Sequence, residues 1–257
     1  MPELPDQIRE MRDAGALFAV NHSAGKDSQA MLLRLRALGI PDDQMVVVHA
    51  DLGEVEWPGN LAHIEANSFG LPLIVAEPKT GFFDMVERRG MFPSAAQRQC
   101  TSDLKRGPIE RELRRYLKEN PRFGGRLVNC MGMRAAESPA RAKKSALQRS
   151  ARNSKAGREW WDWLPIHEMS TEAVFETIAE AGQAPHPAYA LGMTRLSCCF
   201  CILASASDLK ISAEANPELY ARYCETEERL GHTLSMSRKP LPEITGVSPC
   251  AQLRHAA

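Results

Sequence analysis

The chain has 257 residues with 32 Lys+Arg against 32 Asp+Glu, so its formal charge is zero and a globally basic nucleic-acid coat is excluded. Hydrophobic residues at 44% and charged residues at 25% exclude a wholly disordered chain, and the length suits one large domain or one with a small appendage. No apolar run approaches the roughly 20 residues of a membrane helix, and the first ten residues lack the basic-then-apolar pattern of a secretion signal, so a cytoplasmic protein is expected.

Residues 16–21 form an apolar run read as a first strand. It ends in His22-Ser23-Ala24-Gly25-Lys26-Asp27-Ser28, after which Ala30, Met31, Leu32, Leu33 and Leu35 recur at helical spacing up to Gly39. A second strand is expected over 45–50, a helix around 62–67 and a third strand over 71–76. A charged helix over 109–119 then precedes a fourth strand over 126–131. The alternation predicts an α/β fold, a parallel sheet with helices on both faces, followed by a smaller helical, cysteine-containing C-terminal part. From Pro139 to Arg158 there are seven basic residues (Arg141, Lys143, Lys144, Arg149, Arg152, Lys155, Arg158) and no acid, which reads as a basic loop or anion-facing arm. The expected division is a nucleotide-binding core over 1–138, a basic loop over 139–158 and a C-terminal part over 159–257, with helices near 171–181 and 217–230. The aromatic group Trp160, Trp161 and Trp163 reads either as a stacking surface for a base or as a core anchor.

A loop that opens a helix after the first strand of a parallel sheet lies at the carboxyl edge, where ligands bind in open α/β sheets. Ser23-Ala24-Gly25-Lys26-Asp27-Ser28 has the parts for phosphate: small residues that let backbone amides approach, a helix N-terminus, a lysine and two hydroxyls. The spacing is not that of the Walker loop. The seven cysteines are odd in number, and three stand together in Cys198-Cys199-Phe200-Cys201. In a reducing compartment this reads as metal or redox chemistry rather than a disulfide framework. Cys198-x-x-Cys201 lets two thiolates meet one metal or one cluster. A zinc site and packed reduced thiols are the other readings of the same residues.

The Ser23–Ser28 loop resembles the PP-loop of the adenine-nucleotide α-hydrolases. Further segments, in order, resemble the phosphoadenosine-phosphosulfate-reductase-like branch of that superfamily. They are Asp51-Leu-Gly-Glu54, Arg98-Gln-Cys100-Thr101-Ser-Asp-Leu-Lys105-Arg-Gly-Pro108, Gly132-Met-Arg134-Ala-Ala-Glu137-Ser138-Pro-Ala-Arg141, Asp162-Trp-Leu-Pro165-Ile166, His186-Pro187-Ala-Tyr189 and Arg195-Leu-Ser-Cys198-Cys-Phe-Cys201. Ala24 stands where the ATP-pyrophosphatase form has glycine. The resemblance implies that ATP, or a sulfonucleotide, binds with Mg²⁺ at Ser23, Ala24, Gly25, Lys26, Asp27, Ser28, Asp51, Glu54, Gly132, Arg134 and Arg141. Lys26, Asp27, Ser28 and Arg134 would be the catalytic residues. It also implies a [4Fe-4S] cluster, with Zn²⁺ as the alternative, on Cys100, Cys198 and Cys201, with Cys199 or Cys224 as a fourth ligand or the fourth iron left open for a sulfur species.

Three activities are compatible with the resemblance. The first is adenylation of an acceptor, releasing pyrophosphate, followed by sulfur transfer that draws on a sulfur-donor protein and reaches DNA or tRNA through the basic 141–158 segment. The second is thiol-dependent reduction of phosphoadenosine or adenosine phosphosulfate to sulfite. The tail around Cys250 carries a cysteine for it but lacks the Glu-Cys-Gly-Leu/Ile-His motif. The third is a non-enzymatic nucleotide- or nucleic-acid-binding subunit of a modification system. No membrane partner is expected, and the oligomeric state stays open.

Overall fold

The structure is a computed structural model that describes residues 4–249, so the expectation placed on Cys250 lies outside the described residues. The strands are β1 (Leu17–Asn21), β2 (Met45–Ala50), β3 (Leu73–Ala76), β4 (Arg126–Met131), β5 (Leu147–Arg149) and β6 (Glu159–Trp163). The helices are α1 (Asp6–Asp13), α2 (Lys26–Ala37), α3 (Asn60–Asn67), α4 (Phe82–Arg89), α5 (Gln99–Thr101), α6 (Gly107–Glu119), α7 (Pro139–Ala142), α8 (Thr171–Glu180), α9 (Ala206–Ala215), α10 (Pro217–Leu230) and α11 (Leu241–Thr245). The chain forms two compact units. One holds the residues up to 49 with 59–76 and 109–186; the other holds 50–58, 77–108 and the residues from 187 on. Among the described residues no helix is long and apolar enough to cross a membrane.

The first unit carries a six-stranded sheet in the order β3-β2-β1-β4-β6-β5. β1 runs parallel to β2 and β4, and β4 parallel to β6, while β5 closes one edge antiparallel to β6. β1 and β2 are apolar and buried along almost their whole length, as strands covered on both faces must be. Alternation sends Leu17, Ala19, Val46, Val48, Leu127 and Trp160 to one face, where Leu113 and Leu117 of α6 pack on them. Ala30 and Leu33 of α2 pack with Val174 and Ile178 of α8 in a second cluster. The strand order reverses between β1 and β4, so the crossovers leave to opposite sides and open a crevice at the carboxyl ends of these two strands. The segments that leave β1 and β4 therefore decide the chemistry.

The stretch read as a basic loop contains α7 and the edge strand β5, and the tryptophan group is β6. Trp160 and Trp163 are buried in the sheet core, so two of the three tryptophans are core anchors rather than stacking surfaces. The helix expected at 109 begins earlier, because α5, a π-helical turn over Ser102–Arg106 and α6 run on continuously. Pro108 reads as a break in sequence, since its ring collides with the carbonyl four residues before it in a regular helix. The wider turn just ahead of it provides the room. Gly107 fits that turn closely: a Cβ there would stand 3.1 Å from the Ser102 carbonyl oxygen.

The second unit is built by short helices around aromatic side chains. Ser205 caps α9, its hydroxyl accepting from the Asp208 N–H, and Asp208 in turn accepts from the backbone N–H and hydroxyl of Thr194 at 2.8 Å each. Glu227 of α10 is buried and accepts from the N–H groups of Leu234 (2.7 Å) and Leu241 (2.8 Å), which pins the segment that leads into α11. Burial pushes the carboxyl of Glu227 up, and those two backbone donors pull against it.

Candidate functional site

In the first unit β1 ends at Asn21, and the chain turns through residues 22–25 into α2. Ala24 takes a left-handed backbone, φ 60°. That conformation is costly for a residue with a Cβ and free for glycine, which accounts for glycine at this position in the resembled loop. The turn is held by short-range bonds. The Ser28 hydroxyl donates to the Gly25 carbonyl at 2.8 Å and accepts from the Ser23 N–H at 3.2 Å. The Ala24 N–H donates to Nδ1 of His22 at 3.2 Å. Ser23 is exposed, Asp27 half-buried, and Gly25, Lys26 and Ser28 buried. The first turn of α2, with its outward N–H groups, starts at Lys26.

Gly132 follows β4 and abuts this turn. A Cβ on it would meet the carbonyl carbon and oxygen of Asp27 and the nitrogen of Ser28, each at 3.1 Å, so any side chain pushes on the start of α2. Two residues on, Arg134 is 3% exposed. Its Nε donates to Asp27 at 2.6 Å, one Nη to the Met169 carbonyl at 3.1 Å and the other to the Thr171 hydroxyl at 3.2 Å. The family resemblance puts Arg134 against a bound anion. Here all three nitrogens are engaged by the protein, and the residue orients Asp27. The other Asp27 oxygen lies 3.2 Å from Nζ of Lys26. Arg141 forms an ion pair with Glu137, whose carboxylate also accepts from the Arg134 N–H.

Two features at this edge are not apparent in the sequence. Asn21, Asn129 and Asp162 form a polar ladder across β1, β4 and β6: Asn21 Nδ2 donates to Asn129 Oδ1 at 2.7 Å, and Asn129 Nδ2 to Asp162 Oδ1 at 2.8 Å. The one signal for it is an asparagine inside an apolar strand. The second is His22, 2% exposed, with Nε2 lacking a partner. Burial and the neighbouring His63 and His49 lower its pKa to about 3, so it is a neutral imidazole. Nδ1 accepts from Ala24, which places the proton on Nε2. Beyond this edge Lys143, Lys144, Arg149, Arg152 and Lys155 are exposed, and Arg152 pairs with Glu110 at 2.9 Å.

The remaining expected residues lie in the second unit. Asp51 accepts from the Gly53 N–H at 2.7 Å, a turn that shapes the segment, and Glu54 is exposed and paired with Arg222. Cys100, Cys198 and Cys201 are half-buried and Cys199 is buried, all as free thiols. Lys105 sits among them. The charges of Cys198, Glu56, Cys201 and Cys100 hold its ammonium form, against the cost of burial. Burial pushes the thiols of Cys100 and Cys198 up, and Lys105 pulls both back. Cys199 differs: it is 0% exposed, its N–H donates to the Val55 carbonyl at 2.9 Å, and burial pushes its thiol up to about 12. Among the described residues no three cysteine sulfurs lie within 4.8 Å of one another. Four thiolates on one zinc ion stand at about 3.8 Å from one another. The hydroxyl of Tyr223, also in this unit, is buried with no partner among the described residues. Three half-buried thiols, a lysine counter-charge and an orphaned buried donor fit a negatively charged, sulfur-ligated group.

The profile of the phosphoadenosine phosphosulfate reductase domain matches residues 18–204. An uncharacterized 37.8 kDa protein of Escherichia phage 186 is 31% identical over 146 residues, covering 57% of this chain and 42% of its own. The chain thus spans less than half the length of that curated relative. Among solved structures, Candida glabrata FMN adenylyltransferase is similar at 15% identity and a TM-score of 0.47, over 75% of this chain and 56% of that one. The phosphoadenylyl-sulfate reductase of Candida auris, in a phosphate complex, is similar at 14% identity and a TM-score of 0.44, over 70% of this chain and 80% of that one. With the domain match covering most of its length, the chain belongs to the phosphoadenosine phosphosulfate reductase domain family.

Proposed function

We propose that the chain is an ATP-pyrophosphatase-type enzyme that adenylates an acceptor in sulfur transfer. The observation that carries this reading is the Ser23–Ser28 turn, built at the carboxyl end of β1 with Lys26, Asp27 and Ser28 on the first turn of α2. Such a turn suits a triphosphate: backbone N–H groups offset its charge, and Lys26, in turning from Asp27 to the phosphates, would leave that carboxylate oxygen to Mg²⁺ while Arg134 holds the other. An acceptor oxygen attacks the α-phosphorus, the bond to the bridging oxygen breaks, and pyrophosphate leaves with AMP on the acceptor. A sulfur nucleophile, supplied as sulfide by a donor protein, then displaces AMP, so that the new bond to sulfur forms as the bond to the AMP oxygen breaks. Electrostatic stabilisation of the departing pyrophosphate is the part assigned to Lys26 and the loop.

For the second unit the reading is a [4Fe-4S] group on Cys100, Cys198 and Cys201. The Cys198-x-x-Cys201 spacing, which lets two thiolates meet one group, and the half-burial of Cys100, Cys198 and Cys201 support it. The full burial of Cys199 supports leaving one coordination position to a non-cysteine ligand. When bound, such a group would supply a place to carry a sulfur atom to the activated acceptor. The exposed cations around β5 support a nucleic-acid acceptor, DNA or tRNA.

The test is anaerobic binding of ATP with Mg²⁺ beside phosphoadenosine phosphosulfate. A tenfold preference for ATP, about 1.4 kcal/mol, is the expected result. Loss of pyrophosphate release in Lys26→Ala, with unchanged thermal unfolding, assigns the chemistry to the loop. A tenfold preference for the sulfonucleotide instead points to sulfite formation by the reductase reaction that the family name describes.

A further inference from the structure

Tyr223 lies in the middle of α10 and is 0% exposed. Four phenylalanines hold its ring: Phe83 at 4.9 Å between centroids, Phe200 at 4.9 Å, Phe82 at 5.7 Å and Phe92 at 6.1 Å, the last nearly parallel at 15°. In an apolar cage of this kind phenylalanine is the economical residue, and all four neighbours are phenylalanine. The tyrosine differs by one oxygen, which is buried and has no nitrogen, oxygen or sulfur partner among the described residues. Burying a hydroxyl without a partner is unfavourable, so its presence calls for an acceptor that the described residues do not provide.

The place of that acceptor is indicated by the neighbours. Phe200, against which the ring packs, is the residue between Cys199 and Cys201. Burial pushes the phenol well up, and Cys198, Cys199, Cys201 and Cys100 are near enough to add to that shift. The ring therefore packs beside the segment that carries the thiols of the second unit. A thiol is not the acceptor, since none comes within hydrogen-bonding reach of it.

We propose that Tyr223 is a positioning residue whose hydroxyl donates a hydrogen bond to a sulfur atom of the iron–sulfur group held by Cys100, Cys198 and Cys201. This rests on the cluster proposed for those cysteines and adds a residue that the cysteine spacing does not indicate. A donor to a cluster sulfur stabilises the reduced, more negatively charged state and raises the reduction potential. The same hydroxyl in the metal-free protein is a liability.

The experiment uses the full chain and Tyr223→Phe, each reconstituted anaerobically with ferrous iron and sulfide. The expected results are equal iron and sulfide per chain, a midpoint potential shifted to more negative values in Tyr223→Phe, and a higher unfolding temperature for the metal-free variant than for the metal-free wild type. Site-specific fluorotyrosine at 223, a stronger donor, shifts the potential the other way and serves equally if the phenylalanine variant does not fold. Equal potentials in wild type and either variant overturn the role of Tyr223 while leaving the cluster intact. A wild-type chain that takes up neither iron nor acid-labile sulfide overturns the cluster reading, and the hydrogen bond with it.

Discussion

His22 shows how much one side chain contributes to the turn between β1 and α2. It follows β1 directly, is buried, and accepts the N–H of the left-handed Ala24 through Nδ1. That bond exists only while the imidazole is neutral. An unfolded histidine titrates near 6.5, whereas His22 in the fold titrates at about 3. Above pH 6.5 both states are neutral and no penalty arises. As pH falls below 6.5 the unfolded chain binds a proton that the folded chain refuses, so stability declines until about pH 3. At pH 5 the expected loss from this residue is roughly 2 kcal/mol. Urea unfolding at pH 7 and pH 5, for wild type and for His22→Asn, checks it, because asparagine can still accept from Ala24 but does not titrate. A variant as acid-sensitive as wild type would assign the sensitivity to other groups, with His186, lowered to about 4 by burial and by His63, the first to test.

At the scale of elements, the approach of β4 to α2 sets the geometry of the site. Gly132 leaves no room for a Cβ beside three backbone atoms of Asp27 and Ser28, and backbone cannot step aside as a flexible side chain can. Gly132→Ala should therefore displace the start of α2 and weaken ATP binding about tenfold, some 1.4 kcal/mol, with little change in helix content. Titration calorimetry against wild type checks this, and an unchanged affinity would mean that the turn absorbs the methyl group. The strands flanking this contact are legible in the sequence, because β1, β2 and β4 are apolar runs ended by glycine-bearing or polar loops. β5 and β6 are not. β5 is three residues in a basic stretch, and in β6 three tryptophans around an aspartate hide the alternation that marks a strand. The turn from β1 into α2 is legible from its small residues. The ladder through Asn129, the engagement of Arg134 and the orphaned Tyr223 depend on contacts between residues far apart in the chain, which no local spacing encodes.

For the whole molecule, zero net charge conceals a strong local imbalance. The cations at Lys143, Lys144, Arg149 and Lys155 are exposed in a stretch without acids. If four of them meet phosphates, the affinity for duplex DNA should fall with a slope of about −3.6 in log K against log salt. Reversing Lys143 and Lys144 to glutamate should reduce that slope by about half. Fluorescence anisotropy over a salt series measures both. Binding that ignores salt, or a slope unchanged in the double variant, would remove the nucleic acid from this surface.

The same strand has a second consequence. β5 is an edge, and an edge offers unsatisfied backbone groups to any other strand it meets, including the identical strand of another copy. Arg149 on the strand and the lysines before it keep such copies apart by repulsion, so these side chains act as a guard on solubility whatever they bind. Alanine substitutions here would strip the guard, and precipitation could then pass for lost binding. Glutamates keep like charges on every copy and preserve the repulsion.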